Sequence, residues 1–131
     1  MAKKRVLIAD DDAEMRAEIS EILTDEGYEV KTVADGQSVI KLVKKEKFDV
    51  LLLDLKMSGV TGFDVLKELN IKKMKMKVIV LTGSILGSSL PDEKSISYRE
   101  KTRILKLADT VMNKPFYIVK LIEKVRQYTA A

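Results

Sequence analysis

A run of four apolar residues, Val50-Leu51-Leu52-Leu53, ends abruptly in the carboxylate of Asp54. An unbroken apolar run bounded by polar residues suits a strand covered on both faces, as in the middle of a parallel sheet. An acid that closes such a strand stands where these sheets bind their ligands. By itself, Asp54 reads more simply as the first residue of a turn. The remaining chain decides between the two.

Arg5 to Ala9 forms a second short apolar run, followed by Asp10, Asp11 and Asp12. The next segment places Met15, Ile19, Ile22 and Leu23 on one helical face, with Asp12 as N-cap and Gly27 as the stop. Tyr28 to Val33 alternates as a less buried strand, and Asp35-Gly36 turns into a helix carrying Val39, Ile40 and Val43. After the central run come a loop over Lys56 to Thr61 and a short helix with Phe63, Leu66 and Leu69. Lys77 to Thr82 is a further apolar strand. Gly83 to Asp92, rich in Gly, Ser and Pro, reads as a flexible loop before a helix between Ser95 and Ala108. Thr110 to Asn113 is a brief strand, and Ile118, Leu121, Ile122 and Val125 mark a last amphipathic helix. Strands and helices alternate five times, which predicts an α/β domain with a doubly wound parallel sheet.

At 131 residues, 46% hydrophobic and 34% charged, the chain fits one compact domain, residues 1–131, with no output domain. No apolar stretch approaches the ~20 residues that span a bilayer, and no signal-peptide core follows the first residues, so no membrane partner and a cytoplasmic location are expected. Cysteine and histidine are both absent, which removes thiolate chemistry, Ser-His and Cys-His nucleophile pairs and the usual zinc sites. Any metal is then a hard cation held by oxygen. The net charge of +4 is modest, and the lysines of Lys41 to Lys47, Lys67 to Lys77 and Lys94 to Lys106 read as solvated helix faces. With four Tyr, three Phe and no clustered stripe, no direct nucleic-acid binding is expected.

The strand ends supply the chemistry. Asp10 and Asp11, Asp54, Thr82 and Lys114 are scattered along the chain, yet a parallel sheet brings such ends to one rim. Capping accounts for Asp12 but leaves Asp10 and Asp11 unexplained, because adjacent like charges repel unless a cation lies between them. Three carboxylates suit Mg2+, which takes carboxylate oxygens and keeps waters and phosphate oxygens. With the ion and Lys114 included the site is near neutral, and a phosphoryl group would add about −1.5 to −2. A carboxylate is the most plausible reactive group in such a pocket, and Asp54, ending the most buried strand, is the candidate nucleophile for an aspartyl phosphate.

Four segments then resemble the receiver domains of two-component response regulators: Ile8-Ala9-Asp10-Asp11-Asp12, Leu53-Asp54-Leu55-Lys56-Met57 with Gly62, Leu81-Thr82-Gly83, and Asn113-Lys114-Pro115-Phe116. They occur in family order and the match spans essentially the whole chain. The resemblance implies a flavodoxin-like (βα)5 fold with strand order 2-1-3-4-5. It implies phosphorylation of Asp54 by a partner histidine kinase or phosphotransfer protein. Magnesium would be held by Asp11, Asp54 and the Lys56 backbone carbonyl, with Asp10 acting through water. Thr82 and Lys114 would contact the phosphoryl oxygens, the Lys114-Pro115 bond would be cis, and Lys56 and Ser84 fall where the family guides the hydrolytic water. Such a protein is no enzyme in the ordinary sense and catalyses only its own phosphorylation and dephosphorylation. It signals through a changed surface around the fourth and fifth helices, to a downstream protein or a missing output domain. Homodimerisation through the last two helices is a family habit that nothing in these residues requires.

The pattern is not matched everywhere. Ser58 replaces the usual proline, Leu107-Ala108-Asp109 replaces Gly-Ala-Asp, and Val111 takes the place of an aromatic residue that elsewhere rotates with the threonine. The stretch from Thr82 to Lys114 is longer than the family's, with the excess in or near residues 83–97, where a mobile loop is favoured over an altered docking surface. Two other functions remain open. A Mg-dependent aspartyl-phosphate phosphatase or phosphotransferase shares this chemistry, but Lys56 stands where its general acid is wanted. A receiver-like binding module that is never phosphorylated is disfavoured by the retained acids, Thr82 and Lys114.

Overall fold

Each turn of the chain returns it to one sheet, because every apolar strand must be covered by the helix that follows it. The computed structural model describes residues 3–72, 74–83 and 98–130, with no side-chain account of 70–72 or 98. Its elements are β1 (Arg5–Ala9), α1 (Ala13–Asp25), β2 (Glu29–Val33), α2 (Gly36–Lys45), β3 (Val50–Asp54), α3 (Gly62–Lys72), β4 (Lys77–Thr82), α4 (Tyr98–Leu105), β5 (Thr110–Asn113) and α5 (Ile118–Thr129). All strand pairs are parallel and the sheet order is β2-β1-β3-β4-β5, the flavodoxin-like order expected from sequence.

Alternate residues of the three inner strands feed two cores. Leu7, Leu51, Leu53 and Val80 pack with Val39, Phe63, Leu66 and Ile104 of α2, α3 and α4. Val6, Ile8, Leu52 and Ile79 pack with Ile19, Leu23, Leu121 and Val125 of α1 and α5. Burying each large side chain of β3 contributes roughly 1.5–3 kcal/mol. With both faces covered, an apolar–polar alternation cannot set the register of β3. Asp49 does so from the strand's entry: its Oδ2 accepts the Arg5 N–H at 2.8 Å, its N–H donates to the Arg5 carbonyl at 2.8 Å, and its carbonyl accepts the Lys77 N–H at 3.1 Å. That register fixes where Asp54 emerges.

Helix boundaries follow from local chemistry. Asp12 caps α1 by accepting the N–H groups of Glu14 and Met15, and Asp35 caps α2 by accepting that of Ser38. The fourth helix ends at Leu105, short of Ala108, as the N–H groups of Lys106, Leu107 and Ala108 bond three residues back in a tightened last turn. This is how the turn before β5 is made without glycine. Asp109 anchors it, donating its N–H to the Val78 carbonyl at 2.9 Å and accepting the Val78 N–H on Oδ2 at 2.7 Å. Beyond Gly83, the expected flexible loop and the long 83–97 stretch lie outside the described residues, as does the start of the helix expected from Ser95.

Candidate functional site

Asp10 follows β1, Asp54 closes β3, Thr82 closes β4 and Lys114 follows β5, so the parallel register carries all four to one rim. Asp10 is 1% exposed. Its Oδ1 accepts the N–H of Asp12 at 2.9 Å and its Oδ2 the Lys114 ammonium at 3.2 Å. The acid run therefore divides its labour: Asp10 turns inward, Asp12 caps the helix, and Asp11 stays exposed between them. One contributor carried no signal in the sequence reading. Arg16, one turn into α1, donates from a guanidinium nitrogen to the Asp10 carbonyl at 2.6 Å and ties the acidic loop to the helix.

Asp54 is buried, and its Oδ1 accepts the Lys56 N–H at 3.2 Å with the Lys114 ammonium 3.9 Å away. Its backbone position depends on Gly62. A Cβ there would lie 2.6 Å from the Asp54 carbonyl oxygen and 2.6 Å from the Leu55 Cα, so only glycine lets α3 begin this close to β3. Burial, then the negative charge of Asp10, pushes the Asp54 carboxyl up to about 6, against the opposing pull of Lys114.

Carboxylate oxygens of Asp10, Asp11 and Asp54 lie within 4.8 Å of one another. Three carboxylates facing one ammonium leave uncompensated negative charge, and every donor is a hard oxygen. A small divalent cation such as Mg2+ fits this set. Thr82 is buried at the end of β4, and its carbonyl accepts the Lys114 N–H at 2.8 Å, holding the β5 exit against β4. Lys56 is exposed beside Asp54. Ser84 lies outside the described residues. The Lys114-Pro115 bond is cis. Val111 on β5 is 38% exposed.

Residues 6–126 match the response regulator receiver domain family. The chain is 36% identical over 122 residues to Response regulator RR06 of Streptococcus pneumoniae, covering 92% of this chain but only 51% of that protein. It is 28% identical to Sporulation initiation phosphotransferase F of Bacillus subtilis, covering 98% of this chain and 95% of that one. Among solved structures, response regulator TrrA of Thermotoga maritima in complex with Mg(2+)-BeF is 30% identical with a TM-score of 0.78, covering 95% of this chain and 98% of that one. TrrA is also solved in complex with histidine kinase ThkA, at a TM-score of 0.76 and 30% identity, covering 97% of this chain and 99% of that one. Fold, ordered strand ends and a family match over nearly the whole chain agree: the protein belongs to the response regulator receiver domains of two-component systems.

Proposed function

We propose that Asp54 is the phosphoacceptor, taking a phosphoryl group from a phosphohistidine on a partner histidine kinase or phosphotransfer protein. An Asp54 oxygen attacks phosphorus; the new P–O bond forms as the P–N bond breaks, and the bonding pair leaves with the imidazole nitrogen. These 131 residues include no histidine, so the donor imidazole lies outside this domain. Attack requires ionised Asp54, and its metal-free pKa of about 6 already leaves it mostly ionised at neutral pH.

Asp11, Asp54 and the Lys56 backbone carbonyl would hold Mg2+, with Asp10 contributing through water. When bound, the ion neutralises charge on the acids and on the phosphoryl oxygens. Lys114 is close enough to Asp54 to pair with the transferred group. Thr82 supplies a hydroxyl donor from the adjoining strand end, and Lys56 and Ser84 fall at the sequence positions that guide the hydrolytic water in the family. The protein turns over no substrate beyond its own phosphorylation and dephosphorylation, and works in the cytoplasm. Its signal passes through the surface around α4, β5 and α5 to a downstream protein or an attached output domain. Val111 has no ring to rotate, so the switch runs through Thr82 and the loop after it.

The observation that carries this reading is the meeting of Asp10, Asp11 and Lys114 at buried Asp54. Intact-mass analysis after incubation with acetyl phosphate and Mg2+ tests it. A single phosphoryl increment in wild type and none in Asp54→Ala is expected; an equal increment in both overturns it.

A further inference from the structure

At the end of the sheet opposite the acidic rim, a cleft of about 440 Å3 opens between α3, the entry to β4 and the turn joining α4 to β5. Its apolar lining comes from Leu66, Leu69, Met74, Met76, Val78 and Leu107. Leu107 is 38% exposed although it is a large aliphatic residue. Lys75 and Lys77 alternate with the methionines, both exposed where Met74 and Met76 are half-buried. Lys77 stands 3.9 Å from Asp109, whose other carboxylate oxygen is taken by the Val78 N–H. Lys75 has no hydrogen bond or ion pair among the described residues. By sequence, residues 67–77 carry five lysines and one glutamate, an excess equal to the net charge of the whole chain.

None of these residues takes part in phosphoacceptance at the far rim. Their chemistry is that of a groove for a charged, amphipathic segment: aliphatic and thioether groups at the bottom, ammonium groups at the lip. Methionine side chains repack around varied apolar partners. A concave floor of this kind is filled by projecting side chains, whereas a flat bilayer surface or a sugar–phosphate backbone would engage the lysines and leave the floor wet. None of the described lining residues is aromatic, so the floor itself offers no ring for bases to stack on.

We propose that this cleft docks an acidic amphipathic helix of a partner protein, with its apolar stripe on Met74, Met76 and Leu107 and its carboxylates at Lys75 and Lys77.

The test is an NMR titration of the full chain, labelled at methionine methyls and backbone amides, with a synthetic helix bearing leucine on one stripe and glutamate elsewhere. Saturable shifts at Met74, Met76 and Leu107 are expected, with affinity falling about tenfold or more on going to high salt and about tenfold in Lys75→Glu. Absence of saturable shifts overturns the proposal. So does an equal response to a helix with lysine in place of glutamate, or with serine in place of leucine. Tighter engagement of the same methyls by duplex DNA or anionic vesicles assigns the cleft to a different class of partner and also overturns it. Shifts on concentrating the chain alone do the same in favour of a second copy.

Discussion

The ammonium of Lys114 lies 3.2 Å from Asp10 Oδ2, a contact between residues 104 apart in sequence. The same nitrogen is 3.9 Å from Asp54 Oδ1, so one cation faces two buried carboxylates. It offsets part of their charge in the metal-free site, and in the proposed reaction it pairs with the phosphoryl group.

Replacing it separates those two duties. Lys114→Met removes a charge that competes with a divalent cation, so Mg2+ affinity should rise about tenfold. Phosphorylation by acetyl phosphate should slow by at least about tenfold, because the incoming oxygens lose their ammonium partner. Calorimetric titration with Mg2+ and a mass-spectrometric time course read the two effects, and a loss of both together would contradict this division.

The Asp54 carboxyl gives the metal-free protein a predictable pH dependence. Its pKa is raised from an ordinary 3.8 to about 6, so the fold favours the protonated form. Stability contributed by that form is fully present below about pH 4, is lost as pH rises to about 6, and changes no further beyond it. Asp54→Asn should therefore exceed wild type in stability above pH 6 by up to about 3 kcal/mol, and the two should converge near pH 4. Denaturant unfolding across this range, in chelator, measures the difference; saturating Mg2+ should shrink it.

Arg16 acts as a positioning residue through its bond to the Asp10 carbonyl. Arg16→Lys keeps the charge and loses the planar fork. Mg2+ affinity should fall about tenfold, as for other outer-sphere contacts, with unfolding midpoint nearly unchanged. An unaltered affinity would remove Arg16 from the account.

Two glycines give a contrast between strain and site geometry. Gly59, at φ +73, sits in the loop with nothing near its missing Cβ, whereas a Cβ at Gly62 would strike the Asp54 and Leu55 backbone. Alanine at Gly59 should cost about 1 kcal/mol, and at Gly62 about 1–3 kcal/mol. Only Gly62→Ala should also slow phosphorylation, since it alone displaces Asp54. Chemical denaturation and the same time course separate the two.

These residues also show how far the fold and site were legible from sequence. Val50 to Asp54 declared a strand buried on both faces and its rim acid, because four apolar residues closed by a carboxylate have few other uses. The run Asp10 to Asp12 could be divided in advance only at Asp12, whose capping geometry is local. Arg16 was invisible because its partner is a main-chain carbonyl, which every residue has. Asp49 was silent for a similar reason: its bonds to Arg5 and Lys77 join strands distant in sequence. The Lys67 to Lys77 stretch, read as a solvated helix face, is helical only to Lys72, and its Met74 to Met76 part leads into β4 outside any helix or strand and lines the cleft. Alternating lysine and methionine do not reveal which surface lies beneath them.

The most direct measurement locates the covalent bond itself. Wild-type protein phosphorylated with Mg2+ and acetyl phosphate is treated with borohydride, which reduces an acyl phosphate to the alcohol, and is then mapped by peptide sequencing. Homoserine at position 54 and nowhere else is the predicted result; homoserine at position 10 or 11, or its absence from a protein that carries the phosphoryl mass, would contradict the account.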